Sequence, residues 1–508
     1  MNDHCFGIDD AATIDLIIPE LASWFGVTRE TIGNEAFEIL DSFDWRLFNK
    51  GWLLLDAQGR YSLIDIHTGQ KVSALTAEEK KPLRFHWDFP ETDLSKYLKD
   101  VLEMRALLPF GVVTRQWIHC DLLNNDEKTV ARLALETYTV NGGVQAVHQC
   151  RVIPVRGYPK PVKRIADRLK QLGLKPAEQS PFLTLLERKG HSPGGYSSKI
   201  KVSLQPEMRA AEAIRCILKN LTSVMHLNIP GVREDIDSEF LHDFRVSVRR
   251  ARSLLSQMKG VLDAETTARL QQRLKGIGAV TGNVRDLDVY LLKESAYIDR
   301  VPPVLQPGII QLFRMLQRKR RQAKDRMVKT MSRDSFSTAL ADLDTFVQAG
   351  SRTGTEGPEG DRPIGELAKA AIYKRYRRII KQGSRISEDT PDEELHEIRI
   401  DCKKLRYLLE FFSSLFPEEA MAALIKQLKQ LQDNLGDFND LSVQQDFLIS
   451  HLQSAGPQTQ QVVMLSAATG GLITQLSMAH RQVRSQFLNV FAAFKSPDNH
   501  KRFVTLFT

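Results

Sequence analysis

Leu241-His242-Asp243-Phe244-Arg245-Val246-Ser247-Val248-Arg249-Arg250-Ala251-Arg252 returns later in the same chain as Leu395-His396-Glu397-Ile398-Arg399-Ile400-Asp401-Cys402-Lys403-Lys404-Leu405-Arg406. The offset, 396 − 242 = 154, also carries Gly282, Asp286, Leu287 and Val289 onto Gly436, Asp440, Leu441 and Val443 without a gap. The chain is therefore internally duplicated, with a period too long for a solenoid.

In the first copy Leu241, Phe244, Val248, Ala251, Leu255, Met258 and Leu262 recur at spacings of three and four. Leu395, Ile398, Cys402, Leu405, Leu409, Phe412 and Phe416 repeat them. Spacing of this kind is the apolar seam of a bundle helix. One residue further on runs a second stripe, His242, Arg245, Arg249 and Arg252, matched by His396, Arg399, Lys403 and Arg406. One residue turns a helix by about 100°, so the basic row lies on the flank of the seam and spans about 15 Å. Like charges one turn apart repel by a few tenths of a kcal/mol per pair. A chain that keeps such a row twice is expected to set an anion against it. Arg suits phosphate oxygens through a bidentate fork and Lys as a point charge, while His adds charge as pH falls.

Other readings of the stripe compete with this one. A row of charge is usually a solvated helix face, and exposed ion pairs contribute little. Asp286 and Asp440 could fold back onto Arg245 and Arg399 and clamp the bundle. His242 and His396 could simply cap a helix start or satisfy a core hydrogen bond. Against these, the positions between the stripe residues have diverged while the stripe has not.

The 508 residues carry a formal charge of +8, unevenly spread. Residues 1–200 hold 25 Lys and Arg against 26 Asp and Glu, a net of −1, and the remainder holds 45 against 36, a net of +9. The duplicated part is thus the basic part, which favours polyphosphate, nucleic acid or another acidic surface. Five scattered cysteines with no CxxC pattern suit free thiols in a reducing compartment. The acidic start does not suit a signal peptide. The uncharged run Val462–Ala479 contains Ser466, Thr469, Gly470, Gly471, Thr474 and Gln475, which favours a bundle helix over a membrane span. A cytoplasmic protein is expected.

Gly190-His-Ser-Pro-Gly-Gly-Tyr-Ser-Ser198 breaks both charge and pattern, and a domain boundary is placed there. The Gly- and Pro-rich stretch 350–363 reads as a linker between repeat one (199–349) and repeat two (364–508). Each half reads as an all-α bundle of about four helices. Arg321-Gln-Ala-Lys324 near the end of the first aligns with Arg481-Gln-Val-Arg484 in the second at an offset of 160. Residues 1–190 read differently. Trp52–Gly69 is a strand, turn and strand, and Trp117–Leu123 with Thr129–Tyr138 forms a hairpin. With amphipathic helices at Leu94–Leu107 and Lys160–Leu172, this domain is expected to be α+β with an antiparallel sheet.

On the two His-Arg-Lys/Arg stripes, with Gly282-Asn-Val-Arg285-Asp286 and Leu435-Gly436-Asp-Phe-Asn439-Asp440, residues 199–508 resemble the CHAD family, the conserved-histidine α-helical domain. The resemblance implies two pseudo-symmetric helical bundles, a basic groove that binds inorganic polyphosphate, granule association in some members, and no catalysis. On Asp41-Ser-Phe-Asp44-Trp45-Arg-Leu47, Gly51-Trp-Leu-Leu-Leu55, Arg105–Pro109 and Lys128–Arg132, residues 1–190 resemble a degenerate CYTH domain. That family's catalysis needs an ExExK strand whose alternating carboxylates share one face and hold a divalent metal. Asp9-Asp10, Asp15, Glu35 and Glu38 do not reproduce it, so no catalytic residue, metal or cofactor is assigned.

The expected function is non-catalytic binding of inorganic polyphosphate or another polyanion by His242, Arg245, Arg249, Arg252, His396, Arg399, Lys403 and Arg406, with Arg321, Lys324, Arg481 and Arg484 as further contributors. Two rival readings are a triphosphate-processing enzyme built on the first domain and a nucleic-acid-binding protein. The stripes lack the interleaved aromatic residues of single-strand binders, and no nucleic-acid-binding motif is recognisable.

Overall fold

The computed structural model describes residues 4–77, 83–141, 144–349, 354–453 and 460–508. The chain separates into two compact units, Met1–Ser197 and Ser198–Thr508.

The first unit runs β1 (Cys5–Ile8), α1 (Ala11–Ala22), β2 (Gly26–Asp41), α2 (Arg46–Asn49), β3 (Trp52–Ala57), β4 (Arg60–Asp65), β5 (Lys71–Thr76), α3 (Asp93–Leu102), β6 (Leu108–Leu123), β7 (Thr129–Val140), β8 (Val147–Pro154), α4 (Pro159–Gln171), β9 (Lys175–Pro176) and α5 (Pro181–Arg188). The nine strands make one sheet, in the order β5-β4-β3-β2-β6-β7-β8-β1-β9, and adjacent strands pair antiparallel. This is the α+β class with the antiparallel sheet that the alternating patterns predict. Gln58 and Gly59, both at positive φ, close β3 onto β4 with a two-residue turn of the kind that matches strand twist. Both faces of β3 are covered, because Leu53 and Leu55 pack with α5 and Leu54 packs with α3. Where β2 passes β6, Gly33 lies opposite Trp117. A Cβ there would sit 2.4 Å from the indole, so only glycine lets the ring lie across the strand.

The second unit is helical: α6 (Ala210–Glu234), α7 (Ser238–Gln257), α8 (Ala264–Val280), α9 (Gly282–Leu291), α10 (Glu294–Ile298), α11 (Gln306–Met331), α12 (Asp334–Gln348), α13 (Ile364–Gly383), α14 (Asp392–Phe411), α15 (Glu418–Gln453), α16 (Gln460–Phe494) and α17 (Pro497–Phe507). The stripe helices are α7 and α14. Asp237 caps α7 by accepting from the amides of Glu239 and Phe240. Asp392, Glu393 and Glu394 sit in the first turn of α14, where the helix dipole favours negative charge. From Leu241 to Leu262 and from Leu395 to Phe412 every seam residue is buried; Phe416 is half-buried beyond the end of α14.

Each half holds more helices than a simple four-helix bundle, and the copies differ at one joint. The segments of repeat two equivalent to α8 and α9 are fused into the single 36-residue α15. Repeat one breaks at Thr281, whose repeat-equivalent is Leu435. The Thr281 hydroxyl donates to the carbonyl of Gly278 and accepts from Arg245, giving the backbone a polar alternative to a straight helix. Leu435 offers none and is buried in the seam.

The described part of the Gly- and Pro-rich stretch, residues 354–363, is packed. Asp263 donates to Thr355, Gly357 to Val261, and Ala210 to Arg362, all through backbone groups. A Cβ on Gly357 would meet the Gly260 carbonyl at 2.4 Å, so the glycine serves close backbone approach here. Residues 350–353 of the expected linker lie outside the described residues.

Candidate polyanion-binding site

The two stripes enter the site through paired contacts that respect the repeat. Arg285 on α9 donates to Nδ1 of His242 at 2.8 Å. Its repeat-equivalent, Asn439 on α15, accepts from Nδ1 of His396 at 2.7 Å. An arginine can only donate and an amide oxygen only accept, so the histidines are held with opposite roles at Nδ1. Each histidine is thus anchored at the start of its stripe helix, and position 285/439 is the anchor in both copies. In the sequence, Arg285 and Asn439 stand within the repeated motifs without an evident role. Their shared offset from the histidines was the available signal.

Arg245 and Arg399 occupy the next turn. Arg245 donates to the Gly278 carbonyl and to the Thr281 hydroxyl, both at 3.0 Å, and so ties down the α8–α9 joint. Arg399 lies 3.5 Å from the Asp440 carboxylate. The fold-back pairing considered from sequence is therefore present, loosely, in repeat two, and Asp286 acts on Arg245 electrostatically in repeat one. Burial nevertheless lowers the proton affinity of both guanidiniums, and Arg249 lowers it further in each.

At the third turn stand Arg249 and Lys403; α7 packs against α14, through contacts that include Arg250 with Glu410 and the Gln257 amide with the Lys404 carbonyl. Arg249 is exposed and Lys403 is half-buried, and neither has an ion-pair partner among the described residues. Burial, then Arg399, then Arg249 push the Lys403 ammonium down to about 8. Arg249 belongs to repeat one, whereas Arg399 and Lys403 belong to repeat two, so the stripes converge within electrostatic reach of each other. Three cations held this way, with one loose carboxylate, favour an incoming anion.

The fourth turn differs between copies. Arg252 is exposed and without an ion-pair partner among the described residues. Arg406 donates to Glu410 at 2.7 Å, and Glu410 also accepts from Arg250 at 2.8 Å, so this carboxylate bridges the repeats beside the basic row. Neither Arg250 nor Glu410 was assigned a role from sequence.

The further contributors on α11 and α16 separate in the same way. Arg321 is exposed and Lys324 half-buried on α11, next to Arg320, which is engaged by Asp235 and Asp288. On α16, Arg484 is drawn to Asp392 and the Thr390 carbonyl at the start of α14, while Arg481 is exposed beside it, and both line one shallow pocket. Arg375 and Arg378 of α13 are taken by the buried Asp401 at 2.6 and 2.7 Å.

The fold and the double stripe define a duplicated helical module with a basic face. Residues 216–449, within the helical unit, match the family model of the CHAD domain. The sequence resembles an uncharacterized protein of Mycobacterium tuberculosis, found in two strains, at 24% identity over 302 residues. The match takes in 58% of this chain and 55% of the relative, so the chain spans about half the length of the curated relatives it matches. Among solved structures, the CHAD domain from the plant Ricinus communis aligns with a TM-score of 0.49 at 24% identity, covering 59% of this chain and 98% of that one. PptA from Streptomyces chartreusis aligns with a TM-score of 0.46 at 14% identity, covering 56% and 99%.

Proposed function

We propose that the helical unit binds inorganic polyphosphate on the face shared by α7 and α14, as a binding module without catalysis of its own. The observation that carries this reading is the electrostatic coupling of Arg249 with Arg399 and Lys403 across the packed helices α7 and α14, with no carboxylate paired to Arg249 or Lys403 among the described residues. A linear polyanion relieves this repulsion and collects many weak contacts at once, so affinity depends steeply on salt. The CHAD match supports the same reading, because it covers both stripes. The anchored histidines and Arg245 fix one end of each row, while Arg249, Arg252 and Lys403 meet the ligand. The protein would act in the cytoplasm, with association with polyphosphate granules as one destination.

One helix among the described residues, Val462–Phe494 within α16, is long and apolar enough to cross a membrane. Its contacts along α15 and α11 support its reading as a bundle helix.

The test is the double variant Arg249→Ala/Lys403→Ala of the full chain, compared with wild type for binding of labelled long-chain polyphosphate. Binding should weaken at least about tenfold, as expected for the loss of two charge-assisted contacts. Equal binding by the variant would remove these residues from the site and with them the reading.

A further inference from the structure

A cavity of about 550 Å³ opens in the first unit, with lining residues from β1 through β8 and from the segment leading into α5. Phe37, Leu55, Ile64, Tyr138 and Phe182 make part of its wall apolar. The polar part is a row of alternating charge. Arg60 donates to Glu35 at 2.6 Å, Arg115 stands 3.7 Å from both Glu35 and Glu136, and Arg151 donates to Glu136 at 2.9 Å. Glu136 has a fully buried side chain and also accepts from Gln149 at 2.5 Å and from Tyr138 at 3.1 Å.

Both carboxylates are thereby satisfied inside the chain, each by a guanidinium, and a divalent cation would have to displace those partners. Arg115 is different. At 3.7 Å its two carboxylates are beyond hydrogen-bond range, and its guanidinium stacks on Phe37 (5.4 Å) and Trp117 (4.8 Å). A stacked, rigid fork without a close acceptor is a ready partner for an oxyanion. The size of that oxyanion's charge follows from the wall. Arg60, Lys71, Arg115 and Arg151 face Glu35 and Asp65, with Glu136 directly behind, so one positive charge is left over. A triphosphate would bring several charges to a wall that balances one, so a monoanion matches the charge of the wall better.

We propose that this cavity is a metal-independent binding site for a small organic monoanion, its charged head on Arg115 and its apolar body against Phe37, Leu55 and Phe182. The site is separate from the polyphosphate face and stands whether or not that reading does. Cavities of this volume, with an apolar wall and a few converging polar groups, are the usual form of small-molecule sites.

The probe is 8-anilinonaphthalene-1-sulfonate, an aromatic monoanion, titrated into the full chain with a chelator present. One equivalent should bind. Arg115→Gln should weaken it by about tenfold or more, as for loss of a charge-assisted contact. Ala74→Trp, which fills the cavity wall without touching an ion pair, should also weaken it and carries the test if Arg115→Gln fails to fold. Lys259→Gln, an exposed position of the helical unit outside the basic stripes, should bind as wild type. Unchanged affinity in the folded cavity variants overturns the proposal. So does displacement of the probe by inorganic triphosphate that occurs only when magnesium is added.

Discussion

Lys403 is the residue at which the electrostatics of the basic face can be read most directly. Its ammonium, half-buried beside Arg399 and Arg249, titrates near 8 in the folded protein against 10.5 for a free lysine. Between those values the unfolded chain holds more protons than the folded one. The unfavourable contribution of the buried charge is therefore complete below about pH 8 and relieved as pH rises toward 10.5. Binding runs the opposite way, because a polyanion needs the charge. Polyphosphate affinity should fall as pH is raised through 8, and Lys403→Arg should flatten that fall, since a guanidinium stays charged; a titration series from pH 7 to 9.5 on both proteins measures it. The same logic separates a binding face from a structural one. Arg249→Ala/Lys403→Ala removes mutual repulsion and no ion pair, so its thermal midpoint should equal or exceed that of wild type while binding drops. A lower midpoint would mean that the stripe serves the fold. The buried seam was legible at residue scale, because its apolar spacing is unbroken and the stripe lies a single helical step away. The division of labour within the stripe was not. Arg406 and Arg252 occupy equivalent positions, yet only Arg406 has a carboxylate, Glu410, one turn further along its own helix.

At the scale of elements, α7 and α14 are held together beside the site by Glu410, which accepts from Arg250 of one repeat and Arg406 of the other. With its side chain 16% exposed, Glu410→Gln should destabilise the protein by about 1–3 kcal/mol, the usual range for a mostly buried charged group losing its partners. Urea denaturation checks this. The contact between α6 and α7 depends on Gly231, where a Cβ would lie 2.3 Å from the Phe240 ring, so Gly231→Ala should also cost about 1–3 kcal/mol through overpacking. Helices α7 and α14 were legible because their apolar spacing is unbroken. The fusion of α15 was not, because a single Thr or Leu at position 281/435 decides it, and the choice depends on Arg245 from another helix. The stretch 354–363 shows the same limit. Glycine and proline mark both flexible linkers and tight backbone contacts, and only the facing carbonyls of Gly260 and Val261 distinguish the two.

At the scale of the molecule, a near-neutral sheet unit precedes a basic helical one. The antiparallel sheet was legible from the alternation around Trp52–Gly69 and Trp117–Tyr138. Its cavity was not, because Arg115, Glu136 and Arg151 come from three strands and only the register joins them. The resemblance residues Asp41 and Asp44 serve the fold: Asp41 accepts from the amides of Ser42, Leu47 and Phe48, and Asp44 pairs with Arg46 and the buried Arg105. For the helical unit, charge collected on one face predicts binding that weakens steeply with salt and that follows the mobile, closely spaced phosphates of a single chain better than a stiff duplex. The direct test is a titration of labelled long-chain polyphosphate into the full chain at several salt concentrations, with duplex DNA of equal phosphate content as competitor. Tight, salt-sensitive binding that the duplex fails to displace is the result predicted; equal competition by the duplex, or no binding at low salt, would contradict it.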